Sequence, residues 1–384
     1  MTVLKKGLAI FIAAATVLTF SACGQQKEEP DLAADMTTSE VVADMGLGIN
    51  LGNTMESCGV SGDTVTAFET GWGSPVITRE TIQGYADSGF GVLRIPVAWS
   101  NMMDFGNNFE INADYMARVK ELTEWALDSG MYAIVNIHYD SGWWKNFPEK
   151  KEWCMNRYTR VWEQISESFK DFNHKLMFES LNEEGGWDSV WNRYSGSEDG
   201  KADSFGLLNE INQKFVDIVR ASGGNNATRH LLIAGYATDI DLTCDPMFKM
   251  PNDLQNRCAV SVHYYTPSTF CILREDADWG KLKTTWGSDG DKKLLTDNMD
   301  KMKETFVDKG VPVIIGEFSV CEKDVKEKES VSLWLTSVIK EATERGMCPV
   351  LWDVTGDYYD RTECKFIDEE LLKQMMEAKV SQQS

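Results

Sequence analysis

Positive charge is scarce in this sequence: 38 lysines and arginines stand against 60 aspartates and glutamates, a formal net charge of −22. Such a chain repels phosphate backbones, which argues against nucleic acid as a partner. A neutral polymer such as a polysaccharide remains compatible with it. Histidine is scarcer still, with 4 in 384 residues. No His-Glu-x-x-His occurs and no His/Asp cluster has ligand spacing, so no catalytic metal and no other cofactor is expected. The acidity leaves a structural calcium open. There is no Cys-x-x-Cys pair, which argues against a zinc ribbon or a redox motif. Beyond residue 39 there is no Pro- or Ser-rich linker, no low-complexity block and no short repeat, so the chain reads as one large domain.

No apolar run is long enough to cross a bilayer either. Residues 7–20 follow Lys5 and Lys6 and are too short for a membrane anchor. The stretch "FSACG" that closes this run resembles a bacterial lipobox. That resemblance implies a signal peptide over 1–22, lipidation at Cys23, a polar tether over 23–38 and a catalytic domain over 39–384. Export to the cell surface is expected, with an ordinary export signal as the alternative. Eight further cysteines remain, Cys58, Cys154, Cys244, Cys258, Cys271, Cys321, Cys348 and Cys364. Their even number fits disulfides without fixing a pairing, and buried free thiols are the alternative.

What is present is alternation. Short apolar segments at 46–53, 91–97, 132–138, 176–183, 230–237, 258–265, 311–318 and 348–354 read as buried parallel strands. Helical spacing separates them. Tyr115, Val119, Leu122 and Ala126 mark one helix, stopped by Gly130. Val331, Leu335, Val338 and Ala342 mark another, stopped by Gly346. Eight repeats predict a (β/α)8 TIM barrel of one domain. The fifth crossover, 238–257, is short for a helix. An open doubly wound sheet is the alternative, but it wants a glycine-rich phosphate loop that "GINLGNTMESCG" does not supply.

A barrel of this kind collects function at the C-terminal ends of its strands. Those ends carry Asn50 and Asn53, Arg94, His138 and Tyr139, Asn182 and Glu183, His263 and Tyr265, Glu317, and Trp352 and Asp353. Alternation puts Ser261, His263 and Tyr265 on one face, and Glu179 and Glu183 on another. Glu317 is opposite in parity to Ile314 and Gly316. Two carboxylates at one mouth suit glycosidic bond cleavage, one as acid and one as nucleophile or stabiliser. Their proximity should raise one pKa and keep the acid protonated near neutral pH.

The segments "GINLGNTME", "GFGVLRIPVAWS", "VNIHYDSGWW", "FESLNEE", "VSVHYYTP", "VIIGEFS" and "LWD" resemble the successive strand-end motifs of glycoside hydrolase family 5, over about residues 40 to 375. The similarity is to its bacterial endo-β-1,4-glucanase and xyloglucanase branch. It implies Glu183 as acid/base, Glu317 as nucleophile and Asn182 as partner of the sugar 2-hydroxyl. It also implies Tyr265 as hydrogen-bond donor to the nucleophile, Arg94 beneath it, and His263 in support. Asn53, His138, Tyr139 and Trp352 would bind sugar, Trp352 as a stacking platform. The family's Asn-Glu-Pro is here Asn-Glu-Glu, with Glu184 in place of proline.

Trp72, Trp143, Trp144, Trp187 and Trp191 fall in βα loops and are candidate sugar-stacking residues, whereas Trp125, Trp162 and Trp334 fall in helical patterns and read as core. His174 and His230 lie away from the mouth. The expected substrate is a β-1,4-glucan, met by a monomer. Mannan, xylan or β-1,3-glucan with the same chemistry is an alternative, as is a non-catalytic sugar-binding lipoprotein.

Overall fold

A computed structural model describes residues 31–380, so the expected signal segment and Cys23 lie outside the described residues. All eight strand segments form: β1 (Gly48–Asn50), β2 (Val92–Ile95), β3 (Tyr132–Val135), β4 (Leu176–Glu179), β5 (Leu231–Ala234), β6 (Cys258–Tyr264), β7 (Val313–Phe318) and β8 (Cys348–Leu351). They pair in parallel in chain order, and β8 closes on β1. A closed barrel rules out the open doubly wound sheet. Most strands stop short of their predicted C-terminal ends, where the chain leaves the ladder and its polar side chains turn into the mouth.

Side-chain period sorts the core in two. Val92, Ile134, Met177, Leu232, Ala259, Ile314 and Val350 point inward and form one cluster with Val41, Val42 and Met45. Helix Thr38–Met45 therefore plugs the N-terminal end of the barrel. At Gly48 an added Cβ would meet a Val92 methyl at 2.5 Å, so only glycine lets β1 close this layer. The alternate residues, such as Leu93, Val135, Phe178, Ile233 and Val262, pack outward against the helices. Each such buried side chain contributes about 1.5–3 kcal/mol.

Seven connections carry a full helix: Arg79–Asp87, Ala113–Asp128, Lys151–Phe169, Lys201–Ala221, Asp289–Thr305, Lys328–Glu344 and, after β8, Glu369–Ala378. The short fifth crossover holds only the single turn Ile240–Thr243, capped by Asp239. Gly130 and Gly346 end their helices at positive φ of 89° and 77°. Trp162 and Trp334 are core, as expected. Trp125 is only half-buried, with the guanidiniums of Arg79 and Arg118 over its ring.

Residues 31–38, expected as the end of a tether, are folded onto the barrel's closed end. Asp31 Oδ2 meets His174 Nδ1 at 2.7 Å, and Thr38 Oγ1 meets His230 Nδ1 at 2.9 Å. The two histidines away from the mouth thus fasten the N-terminal segment. The eight described cysteines are all free thiols, with Cys58, Cys154, Cys271 and Cys348 buried, so the open choice falls to thiols rather than disulfides. Among the described residues no helix is long and apolar enough to cross a membrane.

Candidate active site

Arg94 is the organising residue of the mouth. It is fully buried at the end of β2, where a cation is tolerated only with its donors satisfied. Nε donates to Glu179 Oε2 at 2.7 Å, and Nη1 to Glu317 Oε1 at 2.8 Å and Asn50 Oδ1 at 3.0 Å. Nη2 donates to Asn182 Oδ1 at 2.9 Å. Glu179 also accepts from Asn136 Nδ2 at 3.0 Å and Ser261 Oγ at 2.7 Å. A carboxylate so enclosed is a structural counterion, which accounts for one of the acids crowding the end of β4.

Glu317 reaches the mouth through a bulge. Val262 pairs with Ile315 but His263 pairs with Glu317, so Gly316 is an extra residue on β7. Strict alternation would have sent Glu317 outward if Ile314 faces inward. The bulge lets both face the interior. Gly316 is tightly flanked, since a Cβ would lie 3.1 Å from Ser261 Oγ and 3.2 Å from His263 Nε2. Tyr265 donates its hydroxyl to Glu317 Oε2 at 2.9 Å, so both oxygens of the carboxylate are held.

Glu183 stands across from it. His263 Nδ1 lies 2.7 Å from Glu183 Oε1 and 3.5 Å from Glu317 Oε2. Between two carboxylates Nδ1 must carry the proton, so it has no lone pair to offer a cation. One oxygen of each glutamate and His263 all lie within 4.8 Å of one another. That is the short spacing of a pair without room for a water between, against about 6.5–9.5 Å in inverting pairs.

The charges differ from expectation. Glu183 is half exposed, and its partial desolvation is outweighed by the hydrogen bond and charge of His263, with Arg94 behind them, which hold the carboxyl below the ordinary glutamate value. Glu317 lies above that value: burial, helped by the charge of Glu183, outweighs His263, Arg94 and Tyr265. Sequence proximity suggested the reverse, because it could not reveal which carboxyl His263 touches.

Glu184 is buried and folds back so that its carboxylate accepts the Asn182 N–H. Burial lifts it well above the usual carboxylate range, with Glu183 and Glu179 adding to the rise. Its carbonyl accepts the Ala237 N–H at 2.7 Å, tying the β4 and β5 loops together.

Around the pair lie the expected sugar-binding residues. The His138 ring stacks on Trp352 at 5.8 Å with an 8° interplanar angle. Burial, then Arg94 and His263, hold His138 well below its usual pKa, so it is neutral. Asn53 has a left-handed φ of 58° and is half-buried. Tyr139 is exposed at a φ of 41°, and Trp72 is exposed on the β1 loop.

The other loop tryptophans are corrections. Trp143, Trp144, Trp187 and Trp191 are 3–9% exposed and belong to the core cluster, leaving no face for a sugar. Trp143 lies under the Arg157 guanidinium and bonds Asp140, while the Trp187 indole donates to the Trp144 carbonyl at 3.1 Å. Asn136, Glu56, Asp353 and Arg361 complete buried networks beneath the mouth. Asn136, Glu56 and Asp353 fall within the quoted strand-end motifs, where strand-end position marks only Asp353, and nothing in the local sequence marks Arg361.

A close carboxylate pair at the C-terminal mouth of a (β/α)8 barrel, one member buried and the other open to the cleft, defines a glycoside hydrolase. The family model of cellulase, glycosyl hydrolase family 5, matches residues 54–357, and the chain belongs to that family. It is 32% identical over 354 residues to Endoglucanase A of Ruminococcus albus, covering 89% of this chain and 93% of that one. It is 33% identical over 350 residues to a xyloglucan-specific endo-beta-1,4-glucanase of Bacteroides ovatus, covering 85% and 67%. Among solved structures, a broad-specificity endoglucanase from an uncultured bovine rumen ciliate superposes with a TM-score of 0.80 at 35% identity, covering 89% and 98%. A lichenase from Caldicellulosiruptor sp. F32 in complex with cellotetraose gives 0.81 at 30% identity, covering 90% and 96%.

Proposed function

We propose that this protein is a retaining endo-β-1,4-glucanase acting on cellulose, mixed-linkage β-glucan or xyloglucan. The observation that carries the reading is the Glu183–Glu317 pair, within 4.8 Å and bridged by His263. An oxygen of Glu317 attacks the anomeric carbon as the glycosidic C–O bond breaks, and Glu183 gives its proton to the departing oxygen. The covalent glycosyl ester then yields to water, whose proton returns to Glu183 and whose oxygen displaces Glu317. Arg94 and Tyr265 hold the nucleophile in line, and Asn182, fixed by Arg94 and Glu184, meets the sugar 2-hydroxyl. Asn53, His138, Tyr139 and Trp352 hold sugar, with Trp72 further out.

The reaction needs Glu183 protonated. A glycosidic oxygen that takes the place of His263 against Glu183 removes the contact that holds the carboxyl low, and the bound sugar, by shielding this half-exposed group from water, favours its neutral form. The relatives named for endoglucanase, lichenase and xyloglucanase action support a β-1,4-glucan backbone over mannan or xylan. The N-terminal segment adds export and lipidation at Cys23 of a monomeric enzyme, checked by palmitate labelling of wild type against Cys23→Ala.

The test is product analysis on carboxymethylcellulose, barley β-glucan, xyloglucan, glucomannan and xylan, with Glu183→Gln and Glu317→Gln alongside. Release of β-1,4-gluco-oligosaccharides, lost in both variants, is expected. Turnover surviving Glu317→Gln overturns the nucleophile. Binding without any turnover favours the sugar-capture alternative.

A further inference from the structure

A second buried cation underlies the other half of the mouth. Arg361 comes from the ribbon Tyr359–Asp360 with Lys365–Phe366, beyond the residues matched by the family model, and is 3% exposed. Its Nη1 donates to Gly52 O at 2.8 Å and Ser74 Oγ at 3.1 Å. Its Nη2 donates to Asp353 O at 3.0 Å and Asp353 Oδ2 at 3.3 Å. Gly52 N also donates to Asp353 O at 3.1 Å, so the guanidinium staples the loop after β1 to the loop after β8.

Glu56 belongs to the same arrangement. It is 1% exposed and accepts the N–H groups of Asn53 and Thr54, with the charge of Arg361 acting on it. Asn53 holds a left-handed φ of 58°, which asparagine tolerates, and the Glu56 carboxylate pins that turn through the two N–H groups. Neither Asn53 nor Trp352 touches Arg361 through a hydrogen bond, yet each adjoins a residue that does. A Cβ on Gly52 would lie 3.0 Å from the Trp352 ring, so loop and ring sit in direct contact. In the closed ring β1 and β8 stand opposite β5 and β4, away from Glu183.

We propose that Arg361 and Glu56 are positioning residues for the glycone side of the cleft, fixing Asn53 and Trp352 for the sugar without contacting it. The proposal rests on the glucanase reading above. Groups remote from the reacting atoms should affect binding of substrate and transition state alike, raising KM and leaving kcat.

The experiment uses the full chain and an aryl β-cellotrioside, whose sugars occupy the glycone side alone. Arg361→Met and Glu56→Gln should each raise KM about 10-fold or more while kcat stays within about threefold. Thermal melting identifies a variant that does not fold; if Arg361→Met fails, Glu56→Gln, which keeps every bond of the guanidinium, decides. An unchanged KM in folded Glu56→Gln overturns the proposal, as does a fall in kcat equal to the fall in kcat/KM. Wild-type turnover of the cellotrioside separates the two claims. Its absence overturns the glucanase reading and this proposal together, and its presence with an unchanged KM overturns this proposal alone.

Discussion

His263 Nδ1 sits 2.7 Å from Glu183 Oε1, and this contact holds the Glu183 carboxyl below the ordinary glutamate value while Glu317 lies above it. Without it only the charge of Arg94 would hold this half-exposed carboxyl down. In His263→Asn the Glu183 carboxyl should therefore rise, and the alkaline limb of the kcat/KM profile should move to higher pH. A limb that stays in place or moves down, measured across the pH range, refutes the role given to His263.

Glu183→Gln should discriminate by leaving group. A polysaccharide needs its departing oxygen protonated, and losing that help costs about 10²–10⁴-fold. A dinitrophenyl cellobioside does not need it, so formation of its glycosyl ester should survive, seen as a burst of dinitrophenol. Equal losses on both substrates would remove Glu183 from the acid role.

Gly316→Ala puts a methyl against Ser261 and His263, both already locked by bonds to Glu179 and Glu183. Ser261, His263 or the bulge must give by a few tenths of an ångström, and Glu317 moves with the bulge. A displacement near 1 Å at a nucleophile costs about 10²-fold in rate, so a shift of this size should cost up to about 10-fold. We expect kcat to fall by up to that factor, while the melting temperature, set by the surrounding barrel, moves little.

Glu179→Ala should act on stability instead. It leaves Arg94 buried with one counterion fewer and strands the Asn136 and Ser261 donors. Breaking a buried pair in this way costs about 3–5 kcal/mol, read from urea denaturation. A loss below about 1 kcal/mol would place Glu179 among surface-like pairs.

Glu56 titrates in the neutral range, its carboxyl pushed up to about 7 by burial against its backbone bonds and Arg361. A raised folded pKa stabilises fully below the unfolded value and loses that contribution as pH climbs through the folded one. The melting temperature of wild type relative to Glu56→Gln should therefore fall between about pH 4.5 and pH 7. A difference constant across that window would mean the carboxyl keeps an ordinary pKa in the fold.

Much of this molecule was legible in its sequence because barrel strands and helices announce themselves by period. Ser261, His263 and Tyr265 all meet carboxylates, as their shared face implied. Alternation failed at Gly316, where one extra residue reverses the face of Glu317, and a bulge leaves no mark on hydrophobic pattern. The loop tryptophans failed for another reason. A ring packed under Arg157, as Trp143 is, has the same local sequence as one offered to a sugar. Arg361 went unread because two of its partners, Gly52 and Ser74, lie far back along the chain, and Glu56 because its bonds to the neighbouring Asn53 and Thr54 N–H groups depend on a turn that hydrophobic pattern does not show.

Helix Thr38–Met45 closes the barrel at the end where Asp31 joins it, and the carboxylate pair opens at the other. The fold therefore has a back and a front. Asp31 itself lies at the back, so a support coupled directly at that residue is held away from the front and should leave the cleft open to an insoluble polymer, whereas attachment through the βα loops would press the cleft against the support.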